Sequence, residues 1–352
     1  MSSRPLRTQV LVSLQKPTNR SARAEWQWLS DLWQGCAEQA LADDPDALVV
    51  QRSLWRAAAA SGEGFDWEYE EYETRFWGEV LSALKTGDAV FKTDPDAPLL
   101  RSPMPLFRRS AADVVACADC TFEYERNYRK PNFCRSQSRM HDANRTVEED
   151  WLRTGFHLNM GTIFFRPRPR VVRLLELAKQ WQARSITRGR RGLSVPSEQH
   201  VFLQVLGSYG CRWSAMSGEP LTPKEASKRL MLGLKAGQRV KPPTEEEDRR
   251  QFSVFGHCAE DLTIEVLSYG LCPRTILSGV RVGASRAAEK EAKSKLAAVR
   301  LAKDAARRRQ AKEGPILFHA GGPMPIKMHR IRDLMRPLWE RLSCLPPAPS
   351  TV

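Results

Sequence analysis

No stretch of this 352-residue chain approaches the roughly 20 consecutive apolar residues of a membrane-spanning helix. The first residues, Met1 to Arg7, are polar, and the apolar run after them, Val10 to Leu14, is too short for a signal peptide. The expectation is either a soluble protein or one whose N-terminal anchor lies elsewhere. Histidine is scarce, at six residues, and the eight cysteines (36, 117, 120, 134, 211, 258, 272 and 344) are scattered. Only Cys117-x-x-Cys120 has metal or redox spacing, and no second Cys or His pair follows at the distance a zinc site needs. That excludes a zinc module and leaves small residues on a half-buried element as the reading of Cys117 and Cys120. The scatter does not decide the redox compartment. There are no internal repeats.

What the chain has in excess is positive charge. The formal net charge is +14, which favours anionic partners such as nucleotide phosphates, nucleic acid or an acidic surface. Of this, +6 comes from Ser285 to Glu313, with ten Lys/Arg against four Asp/Glu, leaving +8 for the rest. The field is therefore about half the property of one Ala-, Lys- and Arg-rich stretch, Ala284 to Lys312, predicted to be one long exposed helix. A binder of nucleic acid or of an acidic polymer is one reading. Against nucleic acid, the chain has no RNP-type aromatic strand, no zinc module and no recognisable helix-turn-helix.

The patterning predicts an α/β domain with a mainly parallel sheet. Thr8 to Leu14 and Ala47 to Val50 alternate like strands. Ala22 to Leu41 repeats Trp26, Leu29, Leu32 and Trp33 at helical spacing, and Phe65 to Leu84 is one or two helices. Strand, helix, strand, helix, strand begins a βαβ series. Further strands are expected over Ala112 to Cys120, His157 to Arg166, Leu262 to Leu267 (near an edge) and Ile316 to Phe318. Helices are expected over Pro169 to Arg184, Glu198 to Leu206 with Ser197 as cap, and Ile331 to Leu342. Tyr124 to Glu149 is predicted to be loop, Arg188 to Pro196 a basic turn, Leu221 to Arg250 a charged excursion, and the Pro-rich end a disordered tail.

The chain is organised around Val90-Phe91-Lys92-Thr93-Asp94-Pro95-Asp96, where a short apolar strand ends in two carboxylates. Side chains two apart on an extended segment share a face, so Asp94 and Asp96 can converge. Ligands of open α/β sheets sit outside the carboxyl ends of the strands. An Asp-x-Asp there suits Mg²⁺ or Mn²⁺, which keep positions open for phosphates. Asp-Pro-Asp is equally a good turn former. Three more stretches could carry chemistry. Ile316 to Phe318 runs into His319-Ala320-Gly321-Gly322, with Lys327, Arg330 and Arg332 behind. Asn159-Met160-Gly161 offers an amide to a sugar hydroxyl and a glycine that lets backbone come close. Ser197-Glu198-Gln199 presents a carboxylate and an amide at a helix start, which is also an ordinary capping pattern. The plainer alternatives are a satisfied His in a Gly turn and a structural Asn.

Taken in order, these pieces resemble the nucleotide-diphospho-sugar transferase domain of glycosyltransferase family 77, found among plant and algal cell-wall and protein-arabinosylating enzymes. The matching residues are Gly87, Asp94-Pro95-Asp96, Leu100-Arg101-Ser102-Pro103, Val114 to Cys120, Asn159-Met160-Gly161 and Arg166-Pro167. They continue through Leu174 to Trp181, Glu198-Gln199, His319, Lys327-Met328-His329-Arg330 and Trp339. The resemblance spans Glu79 to Trp339. It implies a GT-A fold, a Rossmann-like α/β/α sandwich, as one domain over residues 1–345. Within it, 1–110 would form the nucleotide-binding part and 111–345 the donor-sugar and acceptor part. A basic insertion would lie near 284–313 and a tail at 346–352.

The same resemblance implies Asp94, Asp96 and His319 as ligands of Mn²⁺ or Mg²⁺, and Lys327 with Gly322 at the diphosphate. It also puts Asn159, Gly161, Glu198 and Gln199 at the donor sugar, the last two beside the anomeric carbon. The reaction would be retaining, moving sugar from a nucleotide-diphospho-sugar, such as a UDP-sugar, to a glycan or glycoprotein. Glu198 is the nearest carboxylate to serve as nucleophile, and a same-face displacement without one is equally open. Relatives work in the Golgi lumen. The chain departs from the pattern at Pro95 and Pro98, which replace β-branched residues, at Glu198 in place of Asp, and at the basic insertion. An inactive transferase-fold protein with a partner-binding role is the other reading these departures allow.

Overall fold

The computed structural model describes residues 7–13, 41, 47–52, 66–94, 102–128, 146–189, 198–231, 252–269 and 271–272. Among these residues eight strands form one sheet: β1 (Thr8–Ser13), β2 (Ala47–Arg52), β3 (Ala89–Thr93), β4 (Val114–Thr121), β5 (Phe156–Phe165), β6 (Arg212–Ser214), β7 (Val254–His257) and β8 (Thr263–Leu267), in the order β2-β1-β3-β5-β4-β8-β7-β6. Pairing is parallel between β1 and β2, β1 and β3, and β4 and β8, and antiparallel elsewhere. Six strands therefore share one direction, with β5 and β7 reversed. The carboxyl ends of β3 and β4 both come out on one edge of the sheet, on either side of the start of β5.

Among the described residues seven α-helices accompany the sheet: α1 (Asp66–Lys85), α2 (Met104–Arg109), α3 (Phe122–Tyr128), α4 (Thr146–Thr154), α5 (Pro169–Gly189), α6 (Glu198–Ser208) and α7 (Pro223–Met231). The α1 helix buries Phe76, Trp77, Val80, Leu81 and Leu84, spaced to line one face. It ends in a Schellman turn: Gly87 takes φ 89°, its N–H donates to Leu84 O, and the Asp88 N–H donates to Ala83 O. The turn delivers the chain straight into β3. One continuous core joins α1, α3, α4, α5, α6 and α7 to one sheet face, with the Trp77 and Phe202 rings stacked at 6.4 Å and Phe165 edge-on to Phe202 at 6.0 Å. On the other face α2 inserts Phe107 between Phe91 and Phe164, at 5.0 and 4.4 Å. The Arg166 guanidinium gathers the Phe107, Ser110 and Ala112 carbonyls at the end of α2. This gives Arg166-Pro167 a structural task.

The expected α/β architecture is present, with three differences. The stretch predicted to be loop, Tyr124 to Glu149, lies between and partly within α3 and α4, whose buried Tyr124 and Trp151 join the core. The charged excursion after Leu221 begins with α7, whose buried Ala226 and Leu230 sit four apart. The strand over 263–267 lies inside the sheet between β4 and β7, because β6 and β7, unmarked in the sequence, pair outside it. Those two strands are three and four residues long, too short for a period-2 pattern to stand out. The basic turn expected over Arg188 to Pro196 begins two residues late, since α5 runs on through Gly189. Its remainder, the predicted helices over Ala22 to Leu41 (Leu41 apart, which is helical) and 331–342, the strand at 316–318, the basic insertion and the tail lie outside the described residues.

Cysteine departs from the sequence reading. Cys117 and Cys120 lie on a fully buried strand and both are disulfide-bonded. Cys117 pairs with Cys272, 155 residues on, and Cys211 with Cys258. The second bridge ties the turn after α6 to the turn before β8. Replacing Cys211 and Cys258 together by Ala lowers stability by about 4 kcal/mol, the loop-closure value for a ring this size, read as a lower denaturation midpoint. An unchanged midpoint would show that the bridge is not formed in solution.

The Asp88 carboxylate, just before β3, accepts hydrogen bonds from Arg7 Nε at 2.7 Å and Nη2 at 2.8 Å, and from Gln9 Nε2 at 2.6 Å, pinning β1 to β3. Burial works to raise its pKa, but the bonds from Arg7 and Gln9 outweigh it and hold the group below the ordinary carboxylate range. With the folded pKa depressed, the stabilisation is present above a pH of about 4 and lost as pH falls through the folded value. Asp88→Asn thus lowers the melting temperature at neutral pH. The gap to wild type narrows as the pH falls below the ordinary carboxylate range, and a gap constant with pH would contradict this account.

Candidate active site

The β4–β5 pairing slips register twice, between Ala116 and Cys117 and again between Ala118 and Cys120, and the first slip is the larger. One step along β4, from Ala116 to Cys117, corresponds to four along β5, from Ile163 to Asn159. Residues 160–162 leave the β4 ladder there but stay with β3, where Thr162 pairs with Thr93 and the Asp94 N–H donates to Gly161 O at 2.8 Å. Such bulges re-aim side chains. Here the bulge opens the sheet beside the carboxyl ends of β3 and β4.

Asp94 leaves β3 at this opening, its side chain 29% exposed. A Cβ built on Gly161 would lie 2.1 Å from Asp94 Oδ2 and 2.9 Å from Asn159 Oδ1. Gly161 is thus the residue that makes room for the Asp94 carboxylate. Asn159 shapes the same turn, its Oδ1 accepting from the Gly161 N–H at 2.7 Å. The close backbone approach expected of Gly161 is real, and what approaches is Asp94.

The first turn of α6 closes over the bulge. Gln199 Oε1 accepts from the Met160 N–H at 3.3 Å, and Gln199 Nε2 donates to Asp119 Oδ2 at 2.9 Å. One amide thereby satisfies a backbone donor freed by the bulge and holds the end of β4. Asp119 is steadied in turn by the Tyr269 hydroxyl, which donates to its backbone carbonyl at 2.6 Å. Glu198, 16% exposed, meets Lys92 Nζ at 3.3 Å, and the same ammonium lies 3.1 Å from Asp94 Oδ1. Lys92 is wholly buried and also lies over the Phe76 ring, 5.1 Å from its centroid.

Of the residues singled out in the sequence, Asp94, Asn159, Gly161, Glu198 and Gln199 thus converge on one spot from β3, β5 and α6. Asp96, His319, Gly322 and Lys327 lie outside the described residues. Two residues of the cluster went unmarked in the sequence. Lys92 sits two before Asp94, so period-2 alternation already puts both on one face. Asp119 stands between two cysteines in a strand otherwise made of small apolar residues, where a lone carboxylate was a signal in itself. Among the described residues no three His, Cys, Asp or Glu side chains form a ready metal cage. The Asp94 side chain is partly exposed, with Oδ1 toward Lys92 and Oδ2 against Gly161.

Comparison with known proteins bears on this site. A family model described as nucleotide-diphospho-sugar transferase matches residues 52–271, which include every described member of the cluster. A search of curated proteins gave no match. Among solved structures, a galactosyltransferase, LgtC, in complex with donor and acceptor sugar analogues is 13% identical. It covers 56% of this chain and 70% of its own, at a TM-score of 0.28. Mouse xyloside xylosyltransferase 1 is 10% identical over 58% of this chain and 81% of its own, at 0.30. An active-site mutant of LgtC is 14% identical over 81% and 95%, also at 0.30. Scores of this size carry no argument about mechanism or donor.

The Gly161 geometry makes a prediction. Gly161→Ala forces Asp94 out of its place and costs about 1–3 kcal/mol of stability, the usual penalty for overpacking. Denaturation midpoints measure the cost, and a crystal structure of the variant shows the displaced carboxylate. Unchanged stability with Asp94 unmoved would refute the role assigned to Gly161.

Proposed function

The chain belongs to the nucleotide-diphospho-sugar transferase family, and from that premise we propose that it is a metal-dependent, retaining glycosyltransferase of GT-A type acting on a UDP-sugar. The observation that carries the reading is one shared ammonium. The first carboxylate of the Asp-x-Asp and the carboxylate that opens α6, 104 residues apart in the chain, both contact Lys92 Nζ. The strand-end aspartate and the sugar-side glutamate are thus neighbours.

Asp94 suits one ligand position of Mn²⁺ or Mg²⁺, being an oxygen donor on a partly exposed side chain. Asp96 and His319 would complete the set. Bound there, the ion supplies Lewis-acid stabilisation of charge on the departing nucleoside diphosphate. Gly322 and Lys327 belong to the diphosphate side. Glu198 stands on the sugar side, as nucleophile or as the carboxylate that steadies positive charge at the anomeric carbon. Gln199 and Asn159 hold the floor beneath the sugar, one by clamping β4 and β5, the other by shaping the Gly161 turn. The acceptor is a glycan or glycoprotein. The whole forms one transferase domain over residues 1–345.

The cysteines bear on the compartment. Three of them on or beside β4 and β8, together with the Cys211–Cys258 pair, are disulfide-bonded. Disulfides persist in oxidising compartments and are rare in the cytosol. This supports the Golgi lumen as the place of action.

A thermal-shift series with UDP, GDP and UDP-sugars, each with and without Mn²⁺, tests the proposal. UDP raises the melting temperature only when Mn²⁺ is present, since ligands of the native state stabilise it by mass action. Asp94→Ala abolishes the shift. Glu198→Gln keeps the shift and lowers turnover by at least about 100-fold, the scale of losing a carboxylate that acts in the transition state. A folded wild type with no nucleotide-linked shift would instead leave an inactive transferase scaffold.

A further inference from the structure

Lysine is almost never fully buried unless paired, and Lys92 has no exposed side-chain surface. It cannot reach substrate. Its contacts include groups from three elements: Asp94 Oδ1 at the end of β3, Glu198 Oε1 at the start of α6, and the Phe76 ring of α1. The ammonium is a tie between the strand that carries the Asp-x-Asp and the helix that carries the sugar-side carboxylate. Its rotamer is set from below by the aromatic face, so it gives both carboxylates a fixed anchor. One positive charge faces two negative ones. The ammonium offsets the repulsion between Asp94 and Glu198 at their base.

We infer that Lys92 is a positioning residue that couples the two halves of the reaction centre. It fixes the orientation of Asp94 toward the metal–diphosphate end and of Glu198 toward the donor sugar, so that the diphosphate and the anomeric carbon are presented together. The inference rests on the transferase reading of the site. The coupling is short: a shift of Asp94 is felt by an ammonium that also contacts Glu198. A displacement of about 1 Å in such a group is enough to cost about 100-fold in rate.

The test compares wild type, Lys92→Met, Lys92→Gln, Glu198→Gln and the Lys92→Met/Glu198→Gln double variant. UDP affinity is measured by calorimetry in Mn²⁺, and kcat and KM from Mn²⁺-dependent hydrolysis of UDP-sugars. Lys92→Met keeps the length and packing of the stem and removes the charge. Both Lys92 variants are expected to weaken UDP binding in Mn²⁺ several-fold and to lower kcat by about 100-fold. In the double variant Lys92→Met costs much less in kcat than it does in wild type, because the group it orients is already disabled. A purely structural lysine predicts the opposite: stability falls, but the losses in kcat multiply and the UDP affinity of the folded fraction is unchanged. That result, or failure of both Lys92 variants to fold, overturns the inference while leaving the transferase reading standing. If wild type itself does not bind UDP in Mn²⁺, the reading fails first and takes the inference with it.

Discussion

Everything at the candidate site depends on the place where β5 parts from β4. A bulge in the middle of a buried sheet frees backbone donors and acceptors that cannot be left without partners. Here the Met160 N–H is taken by the Gln199 amide and the Gly161 carbonyl by the Asp94 N–H. The repair is what brings the functional groups together. The helix start that supplies Gln199 necessarily brings Glu198, and the strand end that supplies the Asp94 N–H brings its carboxylate. The bulge and the cluster are one feature, and the missing Cβ of Gly161 is what lets them coexist.

Charge is handled differently at the two edges of the sheet. At the edge away from the site, the wholly buried Asp113 is held by Arg170 at 2.7 Å and Arg168 at 3.3 Å, and accepts from Thr263 Oγ1 at 2.9 Å. That carboxylate is surrounded by donors and closes the joint between β4, β8 and α5. At the site edge the proportion is reversed, with one buried ammonium beneath two carboxylates. Burying a charge is costly unless it is paired and hydrogen-bonded. Here the charge is buried and its two carboxylate partners stay partly exposed, so the ammonium joins the strand end to the helix start.

Much of the fold was legible in the chain. Apolar alternation marked β1 to β5 and β8, and helical spacing marked α1, α5 and α6, because these elements are long or sharply periodic. The pieces that went unseen are short. α3 and α7 make up seven and nine residues, and β6 and β7 three and four. Their burial comes from neighbours far away in sequence, which no local window can register. Tyr124, inside a stretch that reads as polar loop, is fully buried and stacks against Tyr269 at 5.8 Å.

For the site, residue types and order along the chain were enough to name Asp94, Asn159, Gly161, Glu198 and Gln199, since Asp-x-Asp at a strand end and Asn-x-Gly in a strand are local patterns. By itself the sequence determined an α/β transferase, an oxygen-rich site after β3, and a surplus of positive charge. Only the tertiary structure decided what each residue does there. Gly161 serves Asp94, Gln199 joins β4 to β5, Cys117 reaches Cys272, and Lys92 becomes the shared counter-charge. Each of these is a contact between segments at least 39 residues apart. Such contacts are set by how the chain packs, and a one-dimensional pattern carries no distance between them.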